Sequence, residues 1–125
     1  MRMYDYPRAD TLRAKKKIGR KVKSTVRRIN RSLREDVFGD RFWIEVVDRQ
    51  IKPWSDNSGW QAYFRIRFHD RENPERDFDG WYDLNSVIYS GFFAGGQHMD
   101  SDLNNFICES DFWNKYRASQ EESEI

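Results

Sequence analysis

The stretch "WQAYFRIRFHD", Trp60 to Asp70, alternates apolar and polar residues over its whole length. Trp60, Ala62, Phe64, Ile66 and Phe68 fall on one side of an extended chain, and Gln61, Tyr63, Arg65, Arg67 and His69 on the other. A period of two built from aromatic and β-branched residues predicts a strand with one buried and one wet face. That is the pattern of an antiparallel sheet.

Upstream, "RFWIEVVDR" (Arg41–Arg49) repeats the pattern, with Phe42, Ile44 and Val46 on one side and Trp43, Glu45 and Val47 on the other. Between the two strands lies "IKPWSDNSG", whose Pro53, Asp56, Asn57 and Gly59 predict a long hairpin loop. Downstream, "DRENPER" predicts a second turn. In "RDFDGWYDL", Asp79-Gly80 predicts a third, a two-residue hairpin, because both residues tolerate positive φ. "LNSVIYSGFFAGGQ" predicts a short helix or irregular stretch ended by Gly91, Gly95 and Gly96. "SDLNNFICESDFWNKYRA" predicts one or two short helices, with Ser101 and Ser110 as caps.

The N-terminal third is different. In "TLRAKKKIGRKVKSTVRRINRSLRE", Ile18, Val22, Val26, Ile29 and Leu33 recur at spacings of 4, 4, 3 and 4, one face of a helix. Lys15 and Lys16 interrupt the stripe upstream, and Gly19 costs about 1 kcal/mol in a helix interior. A firm helix is therefore predicted over 21–34, preceded by a flexible or conditionally helical basic arm over 1–20. The expected fold is α+β, a basic N-terminal helix on a three- to four-stranded antiparallel sheet with short C-terminal helices. One domain is expected over 21–118, with a frayed tail over 119–125.

The net charge of +1 conceals two blocks. Residues 1–34 hold 13 of the 22 Lys and Arg and two acids, a net of +11, while residues 35–125 carry nine bases and 19 acids, a net of −10. Arg13, Lys15, Lys16, Lys17, Arg20, Lys21, Lys23, Arg27, Arg28, Arg31 and Arg34 all lie in the basic segment. Like charges four apart, such as Lys23 with Arg27, repel one another on a helix, and no local acid offsets them before Glu35 and Asp36. A passive helix surface mixes Glu with Lys, so this one calls for a counter-charge from nucleic-acid phosphates, from the acidic remainder of the chain or from an acidic partner. Aromatic residues make up 16% of the chain, too many for all to lie centrally; Trp54, Tyr63, Trp81 and Tyr82 are candidates for a recognition surface.

No catalytic pattern emerges. Cys108 is the single cysteine, which excludes an intrachain disulfide and a thiolate cluster and suits a reducing, cytoplasmic setting. His69 and His98 stand near acids but lack zinc spacing. "DSDLNNFICESD" (Asp100–Asp111) imitates a calcium loop at Asp100, Asp102 and Asn104, but has Asn105 where Gly is needed and Asp111 in place of the bidentate Glu. Asp77, Asp79 and Asp83 are read as a solvated turn rather than a metal-dependent hydrolase site. Neither metal nor cofactor is expected, nor enzymatic activity. No apolar run is long enough for a membrane span, and no signal-peptide pattern opens the chain.

An arginine-rich segment over residues 13–34 on an acidic, aromatic body from Phe42 resembles the small early accessory proteins of phages of Gram-positive bacteria. In build the chain is similar to the anti-CRISPR inhibitors of Cas9-type nucleases. The resemblance implies a protein of the host cytoplasm that has no active site and works by occupying nucleic-acid channels or blocking domain movement. The expected function is non-enzymatic binding of DNA, RNA or a nucleoprotein through the basic segment. The alternatives are a nuclease inhibitor docking through its acidic body, and a charge-paired homodimer in assembly; a monomer with no membrane contact is expected.

Overall fold

The computed structural model describes residues 12–53, 55, 59–88 and 98–123. In chain order these form α1 (Leu12–Glu35), β1 (Phe42–Pro53), β2 (Trp60–Asp70), a 3₁₀ turn (Pro74–Arg76), β3 (Phe78–Asp83), α2 (Leu84–Ile88), α3 (Met99–Cys108) and α4 (Asp111–Ser123). The three strands form one antiparallel sheet in the order β1-β2-β3, as the alternating pattern requires.

The register runs from Phe42 opposite Asp70 to Pro53 opposite Trp60, with a bulge between Val46 and Asp48. The bulge returns Arg49 and Ile51 to the side shared by Phe42 and Ile44. All five apolar residues read from β2 are buried, together with Phe42 and Ile44 of β1. Against them pack Ile18, Val22, Val26 and Leu33 of α1, Val87 of α2, and Met99, Phe106 and Ile107 of α3. Phe106 meets the Phe42 and Phe68 rings at 6.2 and 5.8 Å between centroids. Burying each such side chain stabilises the fold by about 1.5–3 kcal/mol.

The structure departs from the sequence reading in three elements. α1 begins at Leu12, nine residues ahead of the predicted helix, and takes in the second half of the segment expected to be an arm. Ala14, four residues before Ile18, carries on the apolar stripe; the two are 1% and 0% exposed. Lys15 and Lys16 are not breaks: both are exposed, Lys15 at the edge of that stripe and Lys16 on the opposite, basic side. At the other end α4 runs to Ser123, through most of the predicted tail.

The third departure is at Asp79-Gly80, which is the interior of β3 and not a hairpin: Asp79 pairs with Arg67 and Gly80 with Ile66. Glycine is needed there for another reason. The Tyr82 ring folds back over it, and a Cβ at this position would collide with the phenol ring. The true turn into β1 uses Gly39, at φ 58.

A buried ionic cluster holds the far end of the sheet. Arg41 donates to Asp70 at 2.8 and 3.0 Å and to Asp111 at 2.5 Å, and meets Glu72 at 2.9 Å. Arg76 donates to Asp70 at 2.8 Å and to the Phe106 carbonyl at 2.5 Å. The cluster thereby links β2, the 3₁₀ turn, α3 and α4. Among the described residues no helix is long and apolar enough to cross a membrane.

Candidate nucleic-acid interface

Positions 13–34 of α1 carry all eleven cations singled out from the sequence, and each of them is exposed. At 3.6 residues per turn the helix has two sides. Ala14, Ile18, Val22, Thr25, Val26, Ile29 and Leu33 face the body, and the remaining arc is basic. Arg13, Arg20, Arg27 and Arg31 fall within about 40° of one another, opposite the buried stripe. Lys16, Lys23 and Arg34 flank that row on one side, and Lys17, Lys21 and Arg28 on the other. Lys15 stands apart, its Nζ 5.4 Å from the centre of the Trp60 ring.

Among the described residues, Arg13, Lys16, Lys17, Arg20, Lys23, Arg27, Arg28, Arg31 and Arg34 form no ion pair. Eight carboxylates of the body are turned to other partners. Asp70, Glu72 and Asp111 hold Arg41, and Asp79 takes Arg67 at 2.6 Å. Glu45 and Asp77 lie 2.6 and 2.7 Å from the two nitrogens of His69. Asp102 accepts from the Tyr82 hydroxyl at 2.5 Å, and Asp83 from the Ser86 amide at 2.7 Å.

These contacts shape the ionisation of the body. Burial raises Asp70, but hydrogen bonds from Arg41 and Arg76 outweigh it and leave the carboxyl below its usual range. Arg41 and then Lys115 hold Asp111 down to about 2. Arg67 lowers Asp79. Burial, followed by the bond to Asp102, pushes the Tyr82 phenol up.

The aromatic candidates separate. Tyr63 and Trp81 lie on the outer sheet face and are 44% and 45% exposed, with the Arg65 guanidinium 5.9 Å from the Trp81 ring. Tyr82 is a correction: it is 5% exposed, packs its ring on Phe68 and offers no surface. Its place follows from strand alternation, which sets it on the core side with Gly80. Trp54 lies outside the described residues.

Asp77, Asp79 and Asp83 take separate partners and do not converge. The Asp100–Asp111 stretch is helical over Met99–Cys108, so the loop positions that would ligate calcium are spread around a helix. Ser101 lies inside that helix rather than at its cap, and Ser110 donates to the Ile107 carbonyl. No group of three or more His, Cys, Asp and Glu side chains suited to a metal occurs among the described residues.

Sequence reasoning missed Trp43 and Asn30. Trp43 stacks on His69, its direct cross-strand partner, at 4.0 Å, and the Arg71 guanidinium lies 5.1 Å from its ring. Asn30 bonds the main chain of β1. Together with Lys23, Arg27 and Glu45 these two line a groove of about 360 Å³ between α1 and β1. The chain matches no protein-family model, no curated protein and no solved structure.

Proposed function

We propose that this protein binds nucleic acid, bare or within a nucleoprotein, through the exposed basic arc of α1, and has no chemistry of its own. One observation carries this reading. Nine cations on a single helix form no ion pair among the described residues, while Glu45, Asp70, Glu72, Asp77, Asp79, Asp83, Asp102 and Asp111 bond to the body's own Arg, Lys, His, Tyr and amide groups. Intrachain neutralisation would predict the opposite pairing. Counter-charge from outside relieves the self-repulsion along α1, and a phosphate backbone supplies it at regular spacing.

The test is a salt titration of binding to a labelled duplex, a single strand and a structured RNA. With six to ten phosphates neutralised, affinity falls roughly 10³–10⁵-fold between about 50 and 200 mM salt. No binding to any of the three at the lowest salt removes bare nucleic acid as the partner.

A second reading is favoured by the outer sheet face, where Tyr63 and Trp81 stand exposed among Arg65, Arg67 and Asp79. Half-exposed Trp and Tyr are the residues that anchor protein partners. In this reading the body docks on a nucleic-acid-binding protein such as a Cas9-type nuclease. Trp81→Ala separates the two, since it abolishes capture of a protein partner and leaves the salt-dependent binding of nucleic acid intact.

A further inference from the structure

We infer that α1 binds B-form DNA by lying in the major groove, with Arg20 and Arg27 at base edges and the flanking cations on the two phosphate walls; this rests on the nucleic-acid reading above. The order of residue types around the helix is the starting point. The row opposite the core is entirely arginine: Arg13, Arg20, Arg27 and Arg31. Four of the six flanking cations, Lys16, Lys17, Lys21 and Lys23, are lysine.

Those two residue types suit different targets. The guanidinium is a rigid planar fork matched to guanine O6 and N7, whereas the ammonium is a point charge on a flexible stem that suits phosphate and reads a base less strictly. A helix with its side chains is about 10–12 Å across, which matches a major groove about 12 Å wide. The helix is anchored to the body along one stripe, so the arginine row stands on its far side, with Arg27 also bordering the groove between α1 and β1. The grooves of A-form RNA do not admit it: the major groove there is deep and narrow. A single strand would be held by stacking, and the arginine row contains no aromatic residue.

Geometry limits which arginines reach the bases. Arg20 and Arg27 are seven residues apart, about 10 Å along the axis, or about three base-pair steps. Arg13 and Arg31 lie beyond this central span, where a straight helix leaves the curving groove floor and meets the backbone. The exposed arc therefore divides into a reading pair and a set of phosphate contacts.

The probes are a short G·C-rich DNA duplex, the same duplex with 7-deazaguanine for guanine, the RNA duplex of that sequence, and the DNA single strand. Binding is measured by anisotropy across a salt series, the probes being compared at its lowest concentration, and each variant's fold is checked by circular dichroism. The unmodified DNA duplex binds tightest, and removing N7 weakens it at least about fivefold. The double variant Arg20→Lys/Arg27→Lys keeps its salt slope but narrows the difference between the two DNA duplexes, because an ammonium lacks the fixed fork. Lys16→Ala/Lys23→Ala weakens both duplexes alike and lowers the slope by about two.

Equal binding of all four probes, or preference for the RNA duplex or the single strand, overturns the groove assignment and leaves nucleic-acid binding standing. So does a DNA preference that is indifferent to 7-deazaguanine and to Arg20→Lys/Arg27→Lys. Failure to bind any probe overturns both.

Discussion

The Asn30 carboxamide accepts from the Ile44 amide at 2.8 Å and donates to the Ile44 carbonyl at 2.9 Å. One side chain of α1 thus stands in for a neighbouring strand at the outer edge of β1, a place where unpaired main-chain groups invite edge-to-edge association. Asn30→Ala leaves both groups without that partner and costs roughly 1–3 kcal/mol. Asn30→Asp keeps the acceptor but sets a carboxylate against a carbonyl, and is expected to be destabilised as well. Denaturant midpoints for the three proteins decide this; an unchanged midpoint for Asn30→Ala means that water replaces the amide at no cost.

The N-terminal part of α1 is a core element. Ile18 is 0% exposed, and Ile18→Ala is expected to cost about 2–5 kcal/mol. Phe64→Ala, in the middle of β2, costs about 3–5 kcal/mol. Exposed Lys16→Ala changes stability by less than about 0.5 kcal/mol. Equilibrium unfolding of all three measures the contrast. An Ile18→Ala protein as stable as the parent would show that residues 12–20 detach from the body.

Two glycines have opposite expectations. At Gly80 an added methyl collides with the Tyr82 ring, so Gly80→Ala destabilises, and adding Tyr82→Leu restores part of the loss. At Gly19 the added methyl meets only the Arg49 head group, at 3.0 Å, and a flexible guanidinium can move aside. Gly19→Ala then recovers the helix penalty and stabilises by up to about 1 kcal/mol. Thermal melts of both variants read the two signs.

Acid weakens the fold in a defined window. Asp70 and Asp111 have depressed folded-state values, Asp111 at about 2, against an ordinary aspartate near about 3.9. A depressed carboxylate contributes its full stabilisation above the unfolded value and loses it as pH falls through the folded one. These groups therefore leave stability flat from about pH 5 upward and erode it from about pH 4 toward pH 2. Arg41 stays charged throughout. Urea midpoints against pH, compared with Asp111→Asn, should show a shallower acid limb in the variant; identical limbs would mean that Asp111 contributes nothing.

How far the sequence showed this structure depends on the kind of signal. Strict alternation over Trp60–Phe68 located the central strand and its buried side, because burial of one face dictates a period of two. The helical stripe was legible from Ile18 onward but was cut short at Ala14, since a small residue carries little apolar weight in a pattern and yet fits a close helix contact. Asp79-Gly80 misled because local turn chemistry was overridden by the pairing offered by β2 and by the Tyr82 ring. The ten cations of the candidate face needed only charge and periodicity. Asn30 and the Arg41–Asp70 cluster depend on partners 14 and 29 residues away, which no local pattern reports.

The most direct measurement is the binding of a labelled DNA duplex across a salt series by the parent and by Arg20→Glu/Arg27→Glu/Arg31→Glu, three exposed substitutions outside the core. The parent should bind with affinity falling linearly in log salt, at a slope of about −0.9 for each phosphate neutralised. The folded triple variant should show no binding under the same conditions. A triple variant that binds with the parent's affinity and slope would contradict the assignment of α1 as the nucleic-acid face.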